Sequence, residues 1–217
     1  MPEPIDLYWK IRLTDTQEEL EANNFEVSIA ADLNEAKRIV LEKIIPEINP
    51  KSLAWGGSMT VVNSGLYDAL KSAKDMDVID TLDKSVPTEE RAARLRNALL
   101  VDLFITGTNA LTEDGQLVNL DMIGNRVGAL TFGPKHVIVM VGRNKIVADL
   151  EDAMARIKDV AAPANAIRLG MKTPCAKTAY CHDCDGPQRI CNTWTITEKS
   201  FPKNRIKVIL INEDAGL

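Results

Sequence analysis

The stretch HVIVMVG, residues 136–142, is a nearly continuous run of apolar side chains. A strand with one face in water alternates apolar and polar residues, whereas a strand buried on both faces of a parallel sheet does not need to alternate. We therefore interpret residues 136–142 as a buried parallel strand. Such a strand requires helices on both faces of its sheet.

Shorter strand patterns recur along the chain and alternate with helical patterns. The strand patterns lie at 52–55, 76–80, 103–107 and 205–212, and the helical patterns between them lie at 59–71, 87–102 and 148–161. Residues 110–121 are typical of a β-hairpin whose turn is Asp114-Gly115. Strands separated by helices form βαβ units. The sequence therefore predicts an α/β fold, with a sheet covered by helices on both faces.

Two further helical patterns precede the first of these strands, at residues 7–22 and 32–46. Asp32 is the predicted N-cap of the second, with Glu35 three positions later. We expect residues 1–50 to form an N-terminal helical segment that packs on the core. Residues 51–217 are expected to form the α/β domain, which includes a cysteine loop at 172–192.

Composition and charge exclude several classes of protein. The 217 residues are 45% hydrophobic and 26% charged, and no apolar run approaches the roughly 18 residues that span a bilayer. The first residues are acidic where a secretion signal is basic, so we expect a cytoplasmic protein with no membrane partner. The net charge of −5 argues against nucleic acid as a partner, although the segment 168–207 is basic and surrounds all the cysteines.

The stretch WGGSMT, residues 55–60, places two glycines between a predicted strand and a predicted helix. Glycines allow backbone N–H groups to approach a ligand closely, and a helix N-terminus attracts anions. Gly56, Gly57, Ser58 and Thr60 are therefore candidate residues for binding a small anion. The alternative is a tight structural turn in which Ser58 is an ordinary N-cap.

The stretch TGTNALTEDGQLVNLDMIGNRVG, residues 106–128, follows another predicted strand and is rich in polar side chains. Ligands of open α/β sheets bind at the carboxyl ends of the strands. The candidate ligand-binding residues here are Gly107, Asn109, Asn119, Asn125 and Arg126, with Asp121 and Glu113 beside them. The alternative is that the Asn and Asp residues cap turns and that Arg126 solvates a surface.

All four cysteines lie in TPCAKTAYCHDCDGPQRICN, residues 173–192. Cys175, Cys181, Cys184 and Cys191 have the spacing C-x5-C-x2-C-x6-C, in which a central C-x2-C pair can hold a metal from one turn. Clustered thiols in a cytosolic protein indicate metal or redox chemistry. The spacing leaves an iron–sulfur cluster, a structural zinc ion and free redox-active thiols open. His182 is a further candidate ligand, or an exposed loop residue.

Three motifs together resemble the LUD-domain, or lactate-utilisation, family. They are GGSMT, GTNALTEDGQLVNLDMIGNRV and KTPCAKTAYCHDCDGPQRICN, and the resemblance extends over residues 7–217. It implies a NagB/RpiA/CoA-transferase-like α/β fold and a link to bacterial oxidation of L-lactate, in which LUD proteins work beside iron–sulfur subunits. The four-cysteine motif belongs to one branch of the family.

The motifs and the resemblance lead to two main hypotheses for the function, beside a third in which the chain is a scaffold subunit without turnover whose basic tail docks an acidic partner. In the first, the chain is an accessory or electron-transfer component in the oxidation of L-lactate or a related organic acid. It would carry an iron–sulfur cluster, bind a small anionic metabolite, nucleotide or CoA-like ligand, and work with iron–sulfur oxidoreductase subunits. In the second, the chain is a CoA-transferase-like or sugar-phosphate-isomerase-like enzyme with a structural zinc loop. Glu113 and Asp121 are then the candidate catalytic acids, while the nearest lysines downstream are Lys135 and Lys145.

Overall fold

The computed structural model of the protein describes residues 3–217. Within these residues, ten strands are arranged in two sheets: β1 (Glu26–Ala30), β2 (Ser52–Trp55), β3 (Asp77–Ile79), β4 (Leu103–Gly107), β5 (Ala110–Thr112), β6 (Leu117–Asp121), β7 (His136–Gly142), β8 (Ile146–Val147), β9 (Thr193–Thr197) and β10 (Ile206–Ile211). The larger sheet has six parallel strands in the order β1-β10-β7-β4-β2-β3. The smaller has four strands in the order β8-β5-β6-β9.

The helices lie between the strands along the chain. They are α1 (Pro4–Ala22), α2 (Leu33–Ile39), α3 (Ile45–Ile48), α4 (Met59–Asn63), α5 (Leu66–Leu70), α6 (Thr88–Asn97), α7 (Asn125–Thr131), α8 (Leu150–Arg156), α9 (Ala162–Arg168) and α10 (Cys175–Thr178). Short 3-10 turns follow α6 and β7, at Ala98–Leu100 and Arg143–Lys145. None of the helices within residues 3–217 is long and apolar enough to cross a membrane.

Two π-helical segments, Val40–Ile44 and Ile157–Ala161, join α2 to α3 and α8 to α9. Each is followed two residues later by a proline, Pro46 or Pro163. A proline inside a helix donates no hydrogen bond and collides with the carbonyl group four residues earlier. A locally wider helix accommodates that loss, so the chain continues as a helix through each proline.

The packing of strand β7 explains why its sequence does not alternate between apolar and polar residues. Val137, Val139 and Val141 pack into one core with α1, α7 and the β5–β6 hairpin. Ile138 and Met140 pack into a second core with helices α2 to α5. The strand therefore buries both of its faces, and the predicted α/β fold with helices on both faces of a parallel sheet is confirmed.

The smaller sheet is built around the predicted hairpin. Strands β5 and β6 pair antiparallel, and Gly115 in the turn has a φ of +85°. One face of this sheet contributes to the core that contains α1, and the other packs against α8 and the π-helical segment after it. The predicted N-cap is also present, because Asp32 accepts a hydrogen bond from Glu35 N at 2.8 Å.

The strands β1, β8 and β9 and the helices α7, α9 and α10 were not predicted from the sequence. Strand β1 lies within residues 1–50, which were expected to be helical, and it forms the edge of the main sheet next to β10. Strand β9 follows the cysteine loop and pairs with β6. Helix α7 begins at Asn125, within the polar run 106–128, and extends to Thr131. The division of the chain at residue 50 stays a prediction.

Candidate functional site

A cavity of about 430 Å³ lies at the carboxyl edge of the main sheet. Trp55 ends β2, Gly107 ends β4, and Lys145 follows β7 by three residues; all three line the cavity. Open α/β sheets bind ligands at this edge. The cavity is also within the usual size range of small-molecule sites, roughly 300–1,000 Å³.

The first glycine corner forms part of the cavity wall. Gly57 and Ser58 line it, and a Cβ atom added at Gly57 would meet nothing within 4 Å. Ser58 is the N-cap of α4 and accepts a hydrogen bond from Val61 N at 3.4 Å. The structural alternative for Ser58 is therefore confirmed, and its position in the cavity wall is compatible with a second role in binding.

Two of the predicted residues in this corner lie behind the cavity wall. Gly56 packs so closely on Thr106 that a side chain at this position would collide with it. Thr60 is buried and donates a hydrogen bond to Ala215 O at 3.1 Å. Gly56 and Thr60 therefore support the wall and do not line it.

Arg126 organises the second polar run. Its guanidinium donates to Gly107 O at 3.2 Å, to Asn109 Oδ1 at 2.7 Å and to Asn119 Oδ1. It also forms an ion pair with Asp121 at 3.4 Å. Burial lowers the pKa of Arg126, and the Asp121 carboxylate opposes that change. Arg126 therefore fixes the positions of the polar groups around it.

The polar run is only partly exposed to the cavity. Gly107, Asn109 and Asn125 line it together with Asp121 and Arg126. Asn119 is fully buried behind them, and its Nδ2 has no acceptor among the described residues. The structure thus brings together most of the predicted ligand-binding residues and places Asn119 in a supporting role.

Glu113 lies outside the cavity. It sits at the far end of the β5–β6 hairpin and forms an ion pair with Arg12 of α1 at 2.6 Å. Asp121 is the one acidic side chain among the residues that the structure assigns to the cavity lining. Its Oδ2 accepts a hydrogen bond from Arg126 N at 3.2 Å. Of the two candidate catalytic acids, only Asp121 is therefore in position to meet a ligand.

Lys145 is the most unusual side chain in the cavity wall. It is 4% exposed, and its Nζ donates to Thr60 Oγ1 at 3.0 Å and to Thr108 O at 3.3 Å. Burial lowers the pKa of Lys145 to about 7, and the positive charges of Arg156 and Arg126 add to this effect. Near neutral pH a large fraction of the amine is therefore uncharged.

The lining as a whole is cationic. Arg91 and Arg168 join Arg126 and the partly protonated Lys145, against one acidic side chain, that of Asp121. Sequence reasoning did not nominate Arg91, Arg168 or Lys145. The sequence did contain one indication that Lys145 lies at the site. It follows the carboxyl end of a predicted buried strand, and residues there lie at the edge of a parallel sheet where ligands bind.

A second cavity, of about 20 Å³, is lined by all four cysteines and by His182. The four thiols are unpaired and partly buried. Burial raises the pKa of Cys191, and the neighbouring Cys181 and Cys175 raise it further, whereas Lys158 and Arg189 oppose this. The loop therefore folds its four cysteines around one small space.

Arg189 holds the cysteine loop closed. It donates to Cys191 O at 2.8 Å and to Cys184 O, and it forms an ion pair with Asp183 at 3.0 Å. Lys158, from the π-helical segment after α8, pairs with the same carboxylate at 3.0 Å. The loop is thus anchored to the body of the protein near two positive charges.

The donor set fits a metal chemically. Four thiolates are the ligands of structural zinc and of iron–sulfur clusters, and nearby cations stabilise thiolates. Within residues 3–217, however, no three His, Cys, Asp or Glu side chains are close enough together to hold a metal ion. The thiols line one space but do not converge on one centre, so metal binding would require the loop to tighten.

The two cavities share a wall. Ala162, Ile190 and Cys191 line both of them. The next residue, Asn192, donates from its backbone N to Asp121 O at 3.0 Å and from Nδ2 to Met122 O at 2.9 Å. The last cysteine is therefore one residue from a direct hydrogen bond to the wall of the larger cavity.

Comparison with known proteins identifies relatives of this architecture. A family model described as "LUD domain" matches residues 13–211. A crystal structure of a DUF162 family protein from Deinococcus radiodurans is similar in fold, with a TM-score of 0.53 and 15% identity over 94% of this chain and 98% of that one. Ribose 5-phosphate isomerase A from Neisseria gonorrhoeae matches with a TM-score of 0.33 and 19% identity, over 59% of this chain and 65% of that one, which is too weak to support an argument. No protein with a curated description matches significantly.

Proposed function

Because the chain belongs to the LUD-domain family, we propose that it is an accessory or electron-transfer component in the oxidation of L-lactate or a related organic acid. In this proposal the larger cavity binds a small anionic metabolite, nucleotide or CoA-like ligand. The four cysteines bind an iron–sulfur cluster. The protein works in the cytoplasm with iron–sulfur oxidoreductase subunits as partners.

The charge of the larger cavity supports an anionic ligand. Three arginine side chains and the partly protonated Lys145 line it together with one acidic side chain, Asp121, which is already paired with Arg126. Low-dielectric walls strengthen the attraction between such cations and a bound anion. The bare backbone at Gly57 leaves room for a carboxylate or phosphate group to approach.

The wall shared by the two cavities is the observation that carries the proposal. Cys191 lines both the cysteine cavity and the ligand cavity. A metal centre held by Cys191 would therefore lie next to the bound ligand. A one-electron carrier in this position would be close to the bound ligand and could pass electrons, one at a time, to the proposed partner subunits.

Cys175, Cys181, Cys184 and Cys191 would hold the group, and an iron–sulfur cluster supplies one-electron transfer when bound. Lys158 attaches the loop to the body of the protein through Asp183, and Arg189 pairs with the same carboxylate within the loop. Asn192 fixes the end of the loop to the strand that carries Asp121. These contacts hold the cysteine cluster at the ligand cavity.

The alternative, a transferase-like or isomerase-like enzyme with a structural zinc loop, is less well supported by the geometry. A carboxylate nucleophile must be exposed to the substrate, whereas Glu113 lies outside the cavity and is paired with Arg12. Asp121 remains as a candidate, and its pairing with Arg126 restricts its movement.

Metal analysis of protein purified without air tests the proposal. We expect iron and acid-labile sulfide together with a brown colour that bleaches on reduction. Cys184→Ser should lower the iron content, whereas His182→Ala, in the same loop, should leave it unchanged. Colourless protein with stoichiometric zinc would overturn the electron-transfer function and favour the structural-zinc alternative; protein without metal would overturn both.

A further inference from the structure

Lys145 is a buried amine that the proposed electron-transfer function does not use. It lines the ligand cavity, and no acidic side chain among residues 3–217 pairs with it. Its two hydrogen-bond partners are neutral oxygens, the Thr60 hydroxyl and the Thr108 carbonyl. A lysine whose task is structural is normally paired when it is buried this deeply. The absence of an acid partner therefore indicates a chemical task.

The hydrogen bonds around Nζ match the uncharged form of the amine. Thr60 donates its own hydrogen to Ala215 O, so its oxygen must accept from Lys145. Thr108 O can only accept. A neutral amine has two N–H bonds, and these two acceptors satisfy both of them. An ammonium ion would carry a third N–H beyond these two protein acceptors, whereas the neutral amine needs no further acceptor.

The charges around Lys145 also favour the uncharged form. Arg126 and Arg156 both lie close enough to disfavour a third positive charge. Arg156 is held nearby by its hydrogen bonds to Asn109 O at 2.6 Å and Asn144 O at 3.0 Å. A lysine that is desolvated beside another cation is the usual form of an amine nucleophile that attacks carbonyl compounds.

We propose that Lys145 forms an imine with the carbonyl carbon of a 2-oxo acid bound in the cavity. The proposal rests on the anionic-ligand site proposed above and names its substrate class. The cationic lining, with Arg91 and Arg168, attracts the carboxylate, and the amine requires the adjacent carbonyl group. A 2-oxo acid is also the product expected when a 2-hydroxy acid such as lactate is oxidised.

The step involves no oxidant. The nitrogen lone pair attacks the carbonyl carbon to form a C–N bond, and the carbonyl oxygen takes a proton to give a carbinolamine. The hydroxyl group then leaves as water after a second protonation, and a protonated C=N bond remains. The two protons come from the amine and from solvent. Hydrolysis reverses the same steps and releases the 2-oxo acid.

Reductive trapping tests this proposal. The full-length protein is incubated with pyruvate and cyanoborohydride, and the intact mass and a peptide map are recorded. We expect one adduct per chain, with the mass of pyruvate less one oxygen atom, at Lys145. Lys145→Arg should abolish it, whereas Lys135→Arg should not, since Lys135 is exposed and paired with Asp102. Trapping should become faster as the pH rises through about 7, where the amine loses its proton.

Two controls separate the failure of this proposal from failure of the proposed function. L-Lactate has no carbonyl carbon next to its carboxylate, so its binding, measured by calorimetry, reports the anion site alone. Lactate binding without a pyruvate adduct at Lys145 would overturn the imine and leave the anion site intact. Absence of lactate binding, pyruvate binding and adduct would overturn both. Adducts spread over surface lysines with Lys145 unmodified would also overturn the imine.

Discussion

Lys145→Met should change how the stability of the protein depends on pH. The pKa of Lys145 is lowered to about 7 in the folded protein, mainly by burial, and returns to its ordinary value of about 10.4 in the unfolded chain. Between these two values the unfolded state binds more protons, so the free energy of unfolding rises with pH. Below pH 7 both states are protonated and the cost of burying the charge is fully present; above the unfolded pKa the cost is gone.

The size of the effect follows from the pKa difference. Each pH unit between the two pKa values contributes about 1.4 kcal/mol, and the folded group is only half deprotonated at its own pKa, so the free energy of unfolding rises by about 2 kcal/mol between pH 7 and pH 9. Methionine has a similar length and does not titrate. The wild-type protein should therefore gain about 2 kcal/mol relative to Lys145→Met over this range.

Urea unfolding followed by circular dichroism, without air, at both pH values measures this difference. The contributions of the other titrating groups to the pH dependence cancel in the difference between the two proteins, because both proteins contain those groups. Lys135→Met is the matched control: its amine is largely exposed, so it should keep the pH dependence of the wild type. If wild type and Lys145→Met change in parallel between the two pH values, Lys145 is charged when folded and the reasoning is wrong.

Three further predictions follow from single contacts. Gly216→Ala should lower the free energy of unfolding by about 1–3 kcal/mol, because Gly216 has a φ of +74° and a Cβ there would collide with Thr60. Gly57→Ala is the control, since its Cβ meets nothing within 4 Å. Equal losses for the two variants in urea unfolding would contradict the collision at Gly216. Arg126→Met should lower the free energy of unfolding by about 1–3 kcal/mol for each buried acceptor that it leaves unpaired, which include Gly107 O and Asn119 Oδ1; an unchanged melting temperature would refute this. Glu113→Gln should leave lactate affinity within about twofold of the wild type by calorimetry, whereas a tenfold loss, about 1.4 kcal/mol, would place Glu113 at the ligand.

The interior of the fold could be predicted because the apolar pattern of each central strand matches the burial of its two faces. Strand β7 is apolar throughout because both faces are buried. The edge strands lack this signal. Strand β1 contains Glu26 and Ser28, and only its last residue is fully buried. Glu26 belongs there because it pairs with the buried Lys207 of β10, a partner that the local sequence does not reveal.

The cavity could be predicted only in part. Gly57 and Ser58 follow a strand directly, so local reasoning placed them correctly. Lys145 is 85 residues from Thr60, and only the parallel order of β2, β4 and β7 brings the two together. Glu113 is a residue type that often acts as a catalytic acid, but the hairpin places it next to α1 and away from the cavity. Side-chain identity predicted the chemistry available, and strand topology determined which residues share the site.

The central claim is that a metal centre in the cysteine loop lies against the bound ligand, and electron paramagnetic resonance of the reduced protein tests it most directly. Spectra are recorded without air, with and without saturating pyruvate. We predict an iron–sulfur signal whose g-values or line shape change when pyruvate binds, because Cys191 lines both cavities. A signal that is identical with and without pyruvate, under conditions where calorimetry shows binding, would contradict the claim, as would the absence of any iron–sulfur signal.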